Sequence, residues 1–128
     1  MALNQQQGAF SWCELMTSDM DAAKDFYQKL FGWRLDDEPM GEGKTYTVIK
    51  AGDRQIGGIM LNSDALSPEV PPPSWGVYVT VNDVDETAKL AESMGGKIIV
   101  PPMEIPDTGR FAVFADPLGA VLAIIAYK

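Results

Sequence analysis

The sequence predicts an α+β fold of two paired βαβββ modules, with the sheets associated, the helices outside and a cleft between them. Three observations predict it. First, the stretch Ser18 to Trp33, SDMDAAKDFYQKLFGW, carries a complete helix signal. Ser18 and Asp21 stand at capping-box spacing, and Gly32 supplies the stop. Met20, Ala23, Tyr27, Leu30 and Phe31, with Phe26 beside them, recur every three or four residues as an amphipathic helix requires. Second, a shift of 64 positions lays Asp19 on Asp83, Asp21 on Asp85, Phe26 on Leu90, Leu30 on Met94 and Gly32 on Gly96, which is an internal repeat. Third, short runs rich in β-branched and aromatic residues surround each helix signal, and the apolar sheet face they imply cannot be covered by one half alone. Two unrelated α+β halves with similar helix caps are the alternative.

In chain order, residues 1–8 are expected to form a disordered tail, since MALNQQQG lacks the basic start and apolar run of a signal peptide. One domain then covers 9–128: module one over 9–61, a linker over 62–74 and module two over 75–128. Residues 9–17 alternate as a strand, with Phe10, Trp12, Glu14 and Met16 on one face and Ser11, Cys13, Leu15 and Thr17 on the other. After the helix come a short strand over 33–36, a polar loop over 37–44 (DEPMGEGK), and strands over 45–50 and 55–61. The four prolines of 62–74 mark a connector without periodicity. The pattern then restarts: a strand over 75–81, capping-box spacing at Asn82 and Asp85, and an apolar stripe of Val84, Ala88, Ala91 and Met94 closed by Gly95 and Gly96. Strands over 97–100, 110–115 and 121–127 complete the second module, the last two joined by the turn Asp116-Pro117-Leu118-Gly119.

Composition narrows the function. A chain of 128 residues with 46% apolar and 22% charged side chains has the profile of a globular domain that folds without staples. The net charge of -8 argues against nucleic acid and anionic membranes, which call for basic patches, and suits a cationic ligand. Cys13 is the only cysteine, so no disulfide forms within the chain and a reducing, cytoplasmic setting is expected. No apolar run reaches the length of a membrane span.

The run from Asp19 to Trp33 in the first half, with Asp83-Val84-Asp85, Gly95-Gly96, Gly109-Arg110 and Asp116-Pro117-x-Gly119 in the second, resembles the vicinal oxygen chelate superfamily of glyoxalases, bleomycin-resistance proteins and extradiol dioxygenases. The likeness covers nearly everything from Ala9 to Tyr127. Trp12-x-Glu14-Leu15-x-Thr17-x-Asp19, together with Gly57-Gly58-Ile59-Met60 and Pro101-Pro102-x-x-Ile105-Pro106, is similar to the branch labelled glyoxalase-like or hydroxylase. The resemblance implies a curved mixed sheet around the cleft, and homodimers. In metal-using members it implies ligands on the first strand of each module, seven residues before the aspartate that opens the helix, and on the last strands. Here those positions hold Trp12, Gly76 and Ala123, with a fourth near Gly58. None of the four can bind a metal ion, and the chain has no histidine. No metal and no cofactor are therefore expected; an all-carboxylate magnesium or manganese site is the chemical alternative, for which the cleft face offers only Glu14.

Strand parity supplies the first candidate site residue. Glu14 shares its face with Trp12 and would lie among apolar side chains, a setting that raises a carboxyl pKa and suits it to proton transfer or to a cation. Its structural alternative is a pair with Arg110 or with backbone. Trp12, Trp75, Tyr78 and Phe114 are candidates for an aromatic ligand-binding wall, against the alternative of ordinary core. Tyr78 shares the face of Gly76, whose missing side chain leaves space. Arg110 could hold a carboxylate in its fork or be a surface residue. Cys13 faces the other way and has no histidine to activate it. Three readings compete: a metal-independent binder of a small aromatic or cationic molecule, an enzyme using Glu14 as acid or base with an organic cofactor, and a non-catalytic dimeric module.

Overall fold

The computed structural model describes residues 5–41, 43–62, 73–105 and 108–128. Ten elements run along the chain: β1 (Phe10–Thr17), α1 (Met20–Phe31), β2 (Arg34–Gly41), β3 (Lys44–Ala51), β4 (Arg54–Leu61), β5 (Ser74–Thr80), α2 (Val84–Ser93), β6 (Lys97–Ile105), β7 (Gly109–Ala115) and β8 (Val121–Tyr127). The order is βαβββ twice, and both the first strands and the helices of the two copies begin 64 positions apart. The chain divides into two compact units, one over 12–75 and the other over 5–11 with 76–128.

In the first unit the strands run β2-β3-β4-β1. β1 and β4 are parallel, while β3 is antiparallel to both β2 and β4. Parallel neighbours need a crossover, and α1 with the β2-β3 hairpin supplies it. Leu15, Ile49 and Ile59 form the core of the helix-side face, with Met20, Ala23 and Tyr27 of α1 packed on it. The α1 cap is Asp19, whose carboxylate accepts from Ala22 N at 3.0 Å. This corrects the capping-box expectation by one residue: a carboxylate three positions before an orphan N–H reaches it, and Ser18 is exposed. Gly32 ends the helix at φ 71, in the left-handed region that glycine enters without steric cost. Phe26, Leu30 and Phe31, expected in the apolar stripe, are exposed instead.

The second unit repeats the plan with strand order β5-β8-β7-β6, β5 and β8 parallel and the other neighbours antiparallel. Val81, Val84, Ala112 and Ile124 make the core under α2, and Val100, Phe111 and Ile125 make the core on the other face. Here too the cap is one residue later than expected: Asp83, not Asn82, accepts from Glu86 N at 3.0 Å. Met94 is exposed. Residues 7–9, expected at the end of a loose tail and start of a strand, are tied along β5. Gly8 N donates to Thr80 O and Thr80 N to Ala9 O, both at 2.8 Å, and Gln7 Oε1 accepts from Asn82 N.

Two strands outrun their expected lengths. β2 continues through Pro39 into the stretch expected as a loop, and β6 continues through Pro101 and Pro102. Both are terminal in the strand orders above, where a missing N–H goes unneeded, and the β6 prolines sit in a register shift between Val100 and Met103. Most of the expected connector, residues 63–72, lies outside the described residues. No described helix is long and apolar enough to cross a membrane.

Candidate functional site

Alternation along β1 sends Leu15 into the core under α1 and turns Trp12 and Glu14 to the opposite face of the first sheet. Glu14 is 8% exposed. Across the face, Tyr46 of β3 donates its hydroxyl to Glu14 Oε2 at 2.7 Å, and the Tyr46 hydroxyl oxygen itself accepts from Trp12 Nε1 at 2.9 Å. The phenol thus passes one hydrogen bond on to the next, and a bond that ends on a carboxylate is of the stronger, charge-assisted kind. Such a partner offsets part of the desolvation that burial imposes on a carboxylate.

Gly58 makes the arrangement possible. It stands opposite Glu14 in the parallel register of β1 with β4 and opposite Val48 in the antiparallel register of β3. A Cβ at residue 58 would collide with the Tyr46 hydroxyl and ring, so the ring lies where that side chain would stand. Tyr46 is the member of the site that the sequence did not single out, and Gly58 stood there only as a position without a ligand. The alternation of Thr45, Tyr46, Thr47, Val48 and Ile49 was the available signal for Tyr46, because Ile49 lies under α1 and its neighbours must turn the other way.

The remaining candidates do not gather into one wall. Trp75 is held on the α1 side of the first unit, its Nε1 donating to Tyr27 Oη at 3.2 Å and its ring edge-on to Tyr27 and Trp33. That is the face of Cys13 and Leu15, away from Trp12 and Glu14. In the second unit Tyr78 packs on Val100, Phe111 and Ile125, whereas Phe114 packs on the core under α2. Tyr78 and Phe114 therefore take opposite faces of their sheet. Arg110, offered as a partner for Glu14 or a substrate, is engaged within its own module: Nε and Nη2 donate to Asp85 of α2 at 2.7 and 2.9 Å, and Nη1 lies 3.5 Å from Glu104 of β6. This fork holds the Asp85 carboxyl below its ordinary value. Cys13 is a free, exposed thiol.

A tandem pair of βαβββ modules, each with one helix on one sheet face, is the architecture of vicinal oxygen chelate proteins. The chain belongs to the Glyoxalase/Bleomycin resistance protein/Dioxygenase superfamily, whose model matches residues 9–124. It is 38% identical over 125 residues to CFP32 of Mycobacterium tuberculosis (strain CDC 1551 / Oshkosh), named as a candidate glyoxylase, a match covering 96% of this chain and 46% of the relative. It is 33% identical over 129 residues to the anthracycline biosynthesis protein DnrV of Streptomyces peucetius, covering 91% of this chain and 46% of that one. The chain thus spans about half the length of the curated relatives it matches. Among solved structures, methylmalonyl-CoA epimerase from Mycobacterium tuberculosis matches with a TM-score of 0.62 at 16% identity, covering 100% of this chain and 93% of that one. The Mn(II)-bound glyoxalase from Novosphingobium aromaticivorans matches with a TM-score of 0.63 at 16% identity, over 94% of this chain and 39% of the other.

The donor set can be compared with what a metal of that family needs. At the four positions to which the family resemblance points, the Trp12 indole N–H is a donor already directed at Tyr46, Gly58 is overlain by the Tyr46 ring, and Gly76 and Ala123 have no side-chain donor atoms. Among the described residues, no three His, Cys, Asp or Glu side chains are grouped so as to hold a metal ion.

Proposed function

We propose that this protein binds a small cationic or aromatic molecule at the Glu14 face of its first module, and that it does so without a transition metal. The hydrogen-bonded chain Trp12–Tyr46–Glu14, ending on a buried carboxylate, is the observation that carries this reading. Glu14 is 8% exposed and accepts from the Tyr46 hydroxyl, and an ammonium group placed against its carboxylate would gain a charge-assisted bond there. The net charge of -8 draws cations toward the molecule, and the hydrogen-bonded Trp12 and Tyr46 bring aromatic rings near the carboxylate. Tyr46 lies over the position where a metal-using relative would project a ligand, which supports a site that works by organic recognition. The names of the curated relatives, a glyoxylase and an anthracycline biosynthesis protein, are in keeping with a small organic ligand.

Benzylamine, an aromatic ammonium, is the probe for the test. Calorimetric titration of the wild type should give binding that Glu14→Gln weakens by ~1 to 3 kcal/mol, the range for a hydrogen bond to a charged group, while the melting temperature stays close to that of the wild type. A variant that melts earlier but binds equally well would make Glu14 structural and end the reading. We also propose that the chain forms a homodimer through a sheet edge, because β2 and β6 end their strand orders and present unpaired backbone. A monomer in sedimentation at micromolar concentration would remove that part.

A further inference from the structure

On the α1 side of the first unit, opposite the Glu14 face, lies a cavity of about 450 Å³. Its floor is Cys13 of β1 with Ile56 of β4, and its walls are Tyr27 and Phe31 of α1, Trp33 and Trp75. We propose that this cavity is a second ligand site, specific for a neutral, planar aromatic molecule of one or two fused rings that carries a hydrogen-bond acceptor.

The walls define the shape. Tyr27 and Trp33 lie nearly parallel, with centroids 5.7 Å apart, and Trp75 stands edge-on to both, at 5.4 and 6.1 Å. The lining thus consists of rings already set face to face and edge to face, the two arrangements in which aromatic quadrupoles favour a further ring. The volume falls in the range of small-molecule pockets. A protein partner covers about 1,000 Å² or more, of which a concavity this size takes in one or two side chains. The polar chemistry is equally narrow. Among the described residues the Tyr27 hydroxyl accepts from Trp75 Nε1 and donates to none, so its proton is available to a carbonyl or ether oxygen at the rim. Among the described residues no charged side chain lines the cavity, which disfavours an ion of either sign. α1 has no fully buried residue, and Phe31 and Trp75 are 58% and 43% exposed, so the apolar walls are open to solvent until something covers them.

The molecule carries its own reporter, since Cys13 is the only cysteine and its thiol is exposed at the floor. The rate of Cys13 alkylation by iodoacetamide is measured with and without 1-acetonaphthone, a planar neutral ketone. The proposal expects saturable protection of at least several-fold, with 1-naphthoate protecting much less because its charge has no partner there. Tyr27→Phe should weaken protection by the ketone but not by naphthalene, which has no oxygen to receive the proton. Ile56→Phe, which fills the floor, should leave the circular dichroism unchanged and abolish protection. Alkylation unaffected by the ketone up to its solubility limit, or equal protection in Ile56→Phe, would overturn the site. Alkylation that slows with protein concentration alone would show a second copy covering the cavity, which also overturns it.

Discussion

Tyr46 is the residue on which the Glu14 face depends, because its oxygen is at once acceptor for Trp12 and donor to Glu14. Tyr46→Phe leaves the ring over Gly58 and removes both bonds, so a buried carboxylate and an indole N–H each lose a partner. The expected cost is about 1 to 3 kcal/mol, read as a lowered midpoint in urea with an unchanged slope. An unchanged midpoint would mean that the chain contributes nothing to holding Glu14. Strand parity in the sequence was enough to place Trp12 and Glu14 together and Cys13 behind them. The same parity separates two other candidates from that face: Trp75 has the parity of Val77 and Val79, and Phe114 pairs in register with Leu122, on the same parity as the core residue Ile124. Tyr46 was hidden for a different reason. Alternation along β3 gives only its face; its approach to Glu14 depends on the missing side chain of Gly58 and on cross-strand register, which no single strand's alternation carries.

Each helix is fastened to its sheet by an ion pair as well as by its apolar face. In the first module Lys24 of α1 donates to both oxygens of Asp37 on β2 at 2.9 Å, and Thr47 of β3 adds a 2.6 Å bond to the same carboxylate. In the second module Asp85 of α2 takes the Arg110 fork of β7. The Thr47 hydroxyl, then Lys24, holds the Asp37 carboxyl below its ordinary 3.8, and Arg110 does the same for Asp85. A carboxyl lowered in the folded state contributes stability that is present above its unfolded pKa and lost as pH falls through the folded one. The melting temperature should therefore be level near neutrality and fall below about pH 4, and Asp37→Asn should flatten part of that fall. Because both carboxylates are largely solvated, high salt should shrink the effect. An acid slope that neither Asp37→Asn nor salt alters would reject this account of the fastening. The helices themselves were legible, since a 64-residue repeat with glycine stops is a strong signal. Their caps were read one residue early, because Ser18 with Asp21 mimics a capping box that Asp19 satisfies alone. The extensions of β2 and β6 were not legible: proline and glycine ordinarily punctuate loops, and only the strand order shows that these two strands lie at edges where proline is tolerated.

For the molecule as a whole, the fold and family were readable because duplication writes the same pattern twice, and a coincidence at one helix is hard to repeat at the second. Chemistry was less readable, since the family's fold serves many reactions and the positions to which the resemblance points for metal donors hold Trp12, Gly76 and Ala123. The central claim is that recognition at the Glu14 face needs no metal. It is tested most directly by titrating benzylamine into the full chain after exhaustive treatment with EDTA, and again after adding manganese, zinc or nickel. The account predicts the same affinity in every case. Binding that disappears with the chelator and returns with one of the metals would contradict it.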